Sequence, residues 1–137
     1  MYERLLVAVD HSEVSARVLA AAKDLASLSN GKVWVLHLRE KEVIAQMGDV
    51  PSESDAEADQ AVKDGVDMLR QAGIEAEGEV RQTTFGHAAR EIVADAKEHD
   101  AGVIIMGSRG RGGFGALLGS TAHKVIHLTD RPVMVVR

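Results

Sequence analysis

Four short apolar bursts, residues 5–9, 33–36, 103–106 and 133–136, recur along the chain. Each is rich in aliphatic and β-branched residues and stays apolar on successive positions, the pattern of a strand covered on both faces. Longer segments between them place apolar residues every three or four positions. They are Val14, Val18, Ala22, Leu25 and Leu28; Val62, Val66 and Leu69; Ala89, Ile92, Val93 and Ala96; and Leu118, Ala122, Val125 and Ile126. This is the period of amphipathic helices. Strand and helix thus alternate from end to end, which predicts an α/β fold with a mostly parallel sheet and right-handed crossovers.

A fifth strand is predicted in "IEAEGEV", residues 74–80, where Ile74, Ala76, Gly78 and Val80 alternate with three glutamates. Glutamates on alternate positions blunt an exposed edge, so this strand belongs at a sheet border. The last strand carries Pro132, which permits a strand start or an edge position. As an edge it needs cover, and pairing of residues 133–136 with the same strand of a second copy predicts a homodimer. The sum is an open, doubly wound, five-stranded parallel sheet with four helices in three α/β/α layers. Residues 40–58, weakly patterned, acidic and carrying Pro51, read as a mobile loop or solvated linker that leads into the second helix.

Composition narrows the function. The chain has 137 residues, 45% of them hydrophobic, which suits one domain over residues 1–137. A net charge of −5 and 3% aromatic residues leave neither the basic footprint nor the stacking platforms of a nucleic-acid binder. Without cysteine there is no disulfide scaffold, thiolate metal site or cysteine nucleophile, and the composition suits a reducing cytoplasm. The first apolar run, closed by Asp10, is too short for a signal-peptide core or membrane span.

The candidate site lies where strands end. In an open parallel sheet, ligands sit beyond the carboxyl ends of strands, where the winding reverses. The first strand runs out at Asp10. The fourth runs out at Gly107 into "GSRGRGGFG", with five glycines in nine positions and two arginines, Arg109 and Arg111. Such glycine density lets backbone amides approach a ligand closely. Gly119, Ser120 and Thr121 then open the last helix, whose N–H groups favour phosphate oxygens, and Ser120 or Thr121 can cap it. Asp10 suits hydroxyl or amine donors of a ribose or base, so a nucleotide satisfies both ends. Neither the Walker pattern nor the dinucleotide fingerprint is present.

Taken together, "LLVAVDHSEVSARVLAAA", "VWVLHL" and "VIIMGSRGRGGFGALLGSTAHKVIHLTDRPVMVVR" resemble the universal stress protein family over essentially the full length. The resemblance implies a five-stranded sheet of order 3-2-1-4-5. It also implies a site for ATP, or for AMP or cyclic AMP. By matching position, Ala8, Val9 and Asp10 would meet the adenine and ribose end, and Leu38 would pack on the base. Met106 and Gly107 would line the ribose side, and Gly110, Gly119, Ser120 and Thr121 would hold phosphates. The family's ATP-binding branch has nine residues between its second and third glycines; here eight separate Gly110 from Gly119, which reshapes the phosphate cradle. Arg109 and Arg111 join the site on grounds of charge.

Rival chemistries are weaker. His123 and His127 share a helical face, but no carboxylate joins them at ligand spacing, so no metal site is assigned. His11 borders the pocket without forming an Asp-His pair, and His37 reads as a packed or capping residue. Ser108, Ser120 and Thr121 lie outside any nucleophile elbow. Nucleotide hydrolysis would need an in-line water, a base and Mg²⁺, for which Asp10 is a lone carboxylate. Three functions stay open: a nucleotide-binding stress or regulatory protein, a weak ATPase or phosphotransferase, and a nucleotide-free dimeric interaction module.

Overall fold

The computed structural model describes residues 1–51, 53–109 and 118–137. The chain runs β1 (Arg4–Val9), α1 (Val14–Ser29), β2 (Lys32–Ile44), β3 (Gly48–Pro51) and α2 (Asp55–Gln71), followed by β4 (Ala76–Thr84), α3 (Ala88–Glu98), β5 (Val103–Gly107), α4 (Ser120–Leu128) and β6 (Val133–Val136). Five strands pair in parallel in the order β4-β2-β1-β5-β6, so the two strands expected at the borders stand there.

Among the described residues a sixth strand corrects the expectation of five. β2 continues past the end of β1, turns at residues 45–47, and pairs antiparallel with β3 from Lys41↔Pro51 to Ile44↔Gly48. The segment expected to be a mobile loop is therefore largely a hairpin. Its exposed side chains and lack of apolar alternation hid it, because a hairpin at the sheet's end buries little and is held by backbone hydrogen bonds.

Two apolar layers form because the bursts point side chains to alternate faces of the sheet. Leu5, Val7, Val33, Val35 and Ile105 meet Val14, Val18, Ala22 and Ala26 of α1 and Val62, Val66 and Leu69 of α2. Leu6, Leu36, Ile104 and Met106 meet Ala89, Ile92, Val93 and Ala96 of α3 and Ala122 and Val125 of α4. Burying one such leucine or isoleucine side chain contributes about 1.5–3 kcal/mol. Gly78 lets α2 sit down on the sheet, since a Cβ there would stand 2.5 Å from the Val35 carbonyl oxygen and 2.7 Å from Val62 Cγ1.

The start of α2 is set by sequence. Ser54 accepts from the Glu57 backbone N–H at 3.1 Å, and the Glu57 carboxylate accepts from the Ser54 N–H at 3.3 Å, a reciprocal capping box. The box fixes the backbone directly after Glu53. Among the described residues, no helix is long and apolar enough to cross a membrane.

Candidate functional site

From β1 the chain crosses through α1 to β2; from β5 it crosses through α4 to β6 on the opposite face. The winding reverses between β1 and β5, which pair at Leu5↔Val103, Leu6↔Ile104 and Val7↔Ile105. Continuing that register brings Asp10 and Ser108 to one level at the strands' carboxyl ends. A cleft of about 650 Å³ opens there. Open sheets bind ligands at this topological position.

One wall is the β1–α1 turn. The Asp10 carboxylate accepts from the Ser12 N–H at 2.7 Å and from Ser15 Oγ at 3.0 Å, both at Oδ1. Ser15 Oγ also accepts from the Asp10 N–H at 2.9 Å. These bonds hold the turn in a fixed shape and use one carboxylate oxygen.

The other wall is the end of β5 and the start of α4. Ser108 donates its N–H to the Val136 oxygen at 2.7 Å and accepts from the Gly119 N–H at 2.6 Å. Both ends of the glycine-rich segment are thereby tied to β6 and to each other. Gly107 lies so close to α1 that a Cβ would stand 3.0 Å from Val14 Cγ1 and 3.2 Å from the Arg109 oxygen. Gly119 caps α4 in an extended conformation with no side-chain cap bond. Capping by Ser120 or Thr121 is thus corrected: both fall inside the helix, leaving its first N–H groups without intrahelical partners.

Between the walls lies a cluster that sequence reading did not assemble. Glu53, just beyond β3, is buried and meets two imidazoles: His37 Nε2 lies 2.5 Å from its Oε1, and His11 Nε2 contacts its Oε2. His37 Nδ1 donates to the Val9 carbonyl at 2.9 Å. Burial alone would push the Glu53 carboxyl up, but the hydrogen bonds from His11 and His37 outweigh it and hold it below the usual glutamate range. Nearby, burial and the Asp10 charge raise Glu40.

A sequence model of the universal stress protein family matches residues 1–137. The chain belongs to that family. Universal stress protein YxiE of Bacillus subtilis is 34% identical to it over 148 aligned positions that cover all of both chains. A universal stress protein structure from Archaeoglobus fulgidus is similar at a TM-score of 0.78 and 30% identity, covering all of both chains. A universal stress protein structure from the same organism in complex with dAMP is similar at a TM-score of 0.74 and 28% identity, covering 99% of this chain and 98% of that one.

Among the residues singled out on resemblance to universal stress proteins and on charge, Ala8, Val9, Asp10, Leu38, Met106, Gly107, Arg109, Gly119, Ser120 and Thr121 all line the cleft. Gly110 and Arg111 lie outside the described residues. The lining also includes Glu53, Phe85, Gly86, Ala89 and Ile92, which the sequence did not flag. Glu53 had one available signal, its place directly before the capping box. His123 and His127 stand edge to face with ring centroids 4.6 Å apart on α4, and neither lines the cleft.

Proposed function

We propose that this universal stress protein binds an adenine nucleotide in the cleft between β1 and β5 and acts as a dimeric regulatory protein. The observation that carries the reading is the opposition of Asp10 to the amino end of α4 across one space of nucleotide size. Asp10 keeps Oδ2 for a ribose or base donor, since its local bonds go to Oδ1. Leu38 supplies apolar surface for the base and Met106 lines the ribose side, and the Val9 carbonyl, although engaged by His37, retains a second lone pair. Ser120 and Thr121 offer backbone N–H groups to phosphate, while Gly119, whose own N–H goes to the Ser108 oxygen, leaves the approach free of a side chain; Arg109 and Lys124 stand on the same lining. The dAMP complex of the Archaeoglobus protein supports an adenine nucleotide as the ligand class.

The resemblance points to ATP, or to AMP or cyclic AMP, as that nucleotide, with Mg²⁺ accompanying a triphosphate if one is bound. Hydrolysis is slow at most, because Oδ2 of Asp10 is assigned to the ribose and base end, away from the phosphates where a base would have to orient water. The dimer contact is β6, a border strand with Met134 37% exposed.

Calorimetry with ATP, AMP, dAMP and cyclic AMP tests the reading. Stoichiometric binding of at least one, with a matching thermal shift, is the expected result. No heat and no shift with any of the four would end it.

A further inference from the structure

The contact between His37 and Glu53 poses a problem of donors and acceptors. The Val9 carbonyl can only accept, so His37 Nδ1, 2.9 Å away, carries its proton. In a neutral imidazole that leaves a lone pair on Nε2, aimed at a carboxylate oxygen 2.5 Å away that also offers only lone pairs. His11 Nε2 meets the second oxygen of the same carboxylate. Two ring nitrogens and a carboxylate therefore converge on one point. His11 can donate to Oε2 as a neutral ring with its proton on Nε2, but His37, whose Nδ1 proton is committed to Val9, meets Oε1 through a second proton or through one metal ion shared by all three groups.

The surroundings favour the ion. His37 and Glu53 are 3% and 4% exposed at the side chain, so charge between them has to be paired, and one shared dication would satisfy both ring lone pairs and the carboxylate without a buried imidazolium. The three ligand atoms lie within 4.8 Å of one another; His37 Nε2 and Glu53 Oε1, 2.5 Å apart, would open to about 3.3 Å around an ion with bonds of about 2.0–2.2 Å, a side-chain shift of under about 1 Å. Metal-ligating histidines characteristically donate their other ring N–H to a backbone carbonyl, as His37 does to Val9. Glu53 is held equally firmly: Arg39 Nε donates to its carbonyl oxygen at 2.9 Å, Arg39 Nη1 pairs with Asp55 at 2.5 Å, and the capping box follows.

We propose that His11 Nε2, His37 Nε2 and the Glu53 carboxylate form a site for a divalent transition-metal ion of the zinc class. Two imidazoles and a carboxylate without thiolate suit Zn²⁺, Co²⁺ or Ni²⁺ and leave a coordination position facing the cleft. The ion ties the β1–α1 turn, β2 and the segment after β3 together, so its binding braces the hairpin beside the cleft.

The test uses nucleotide-free protein stripped with a chelator, so its outcome does not depend on the nucleotide reading. Calorimetric titration with Zn²⁺ is expected to show one ion per chain and a rise in melting temperature, and Co²⁺ is expected to give the visible absorption of a nitrogen- and oxygen-ligated ion. His11→Ala and Glu53→Gln should each weaken binding roughly 100-fold or more, beyond the usual cost of losing an outer partner. The double variant His123→Ala, His127→Ala should bind as the parent does. His11 is 31% exposed and its loss leaves the core intact, so that variant remains informative if Glu53→Gln fails to fold. No binding of Zn²⁺ or Co²⁺ at micromolar concentration overturns the proposal. So does binding that survives in His11→Ala and disappears in the His123, His127 double variant.

Discussion

Trp34 donates its indole N–H to Asp95 Oδ2 at 2.9 Å, joining β2 to α3 across 61 residues of sequence. Asp95 is 0% exposed, with Arg81 Nη2 3.2 Å from its Oδ1, and His99 stacks on Trp34 with centroids 3.9 Å apart. Burial pushes the Asp95 carboxyl up to about 6, and the attraction of Arg81 only partly offsets this. Between about pH 4, where the unfolded chain releases this proton, and about pH 6, the folded protein keeps it. The stability it contributes is therefore present at the acid end and is lost as pH rises through about 6. Asp95→Asn is expected to flatten that part of the pH profile in urea melts. Trp34 is the single tryptophan, so its emission reports the same titration. An unchanged profile in the variant would rule the assignment out.

Gly78 sets the distance between α2 and the sheet. Its missing side chain leaves no room for a Cβ against the Val35 carbonyl, and backbone cannot move aside cheaply. Gly78→Ala should cost about 1–3 kcal/mol in denaturant unfolding, the usual range for overpacking. A loss below the error of the measurement would show that the helix shifts freely.

The two oxygens of Asp10 carry separable roles. Asp10→Asn keeps the Oδ1 acceptor used by Ser12 and Ser15 but removes the charge and the second acceptor. It should melt like the parent while binding adenine nucleotide roughly 10- to 100-fold more weakly, the worth of a hydrogen bond to a charged group. Asp10→Ala should lower both affinity and melting temperature. Parental affinity in Asp10→Asn would remove Asp10 from the site.

β6 is tested by charge. Met134→Lys places a cation on the border strand, where it resists pairing with a second copy. Sedimentation should show a dimer for the parent and a monomer for the variant at micromolar concentration. A monomeric parent would remove the dimer from the proposed function.

Much of the fold is legible in the sequence because burial on two faces leaves an unbroken apolar run. Residues 5–9 and 103–106 fall on β1 and β5, and the glutamates of residues 75–79 mark a true border strand. The hairpin was not legible: Lys41 to Ile44 pair through backbone bonds and expose their side chains, so no periodic signal remains. Capping of α4 was misread because Gly119, Ser120 and Thr121 are all good cap residues, and only the chain path chooses the glycine.

Sequence by itself determined the alternation of strand and helix, the two borders, and the residues that end β1 and β5. Those properties depend on each segment's own pattern of apolar and polar side chains. Tertiary structure alone decided that His11, His37 and Glu53 converge. Glu53 is 42 residues from His11 and 16 from His37, and local propensity carries no information about which distant side chains a hairpin will bring together. Their meeting is fixed by strand register and by the turn that carries the chain back across the sheet's end.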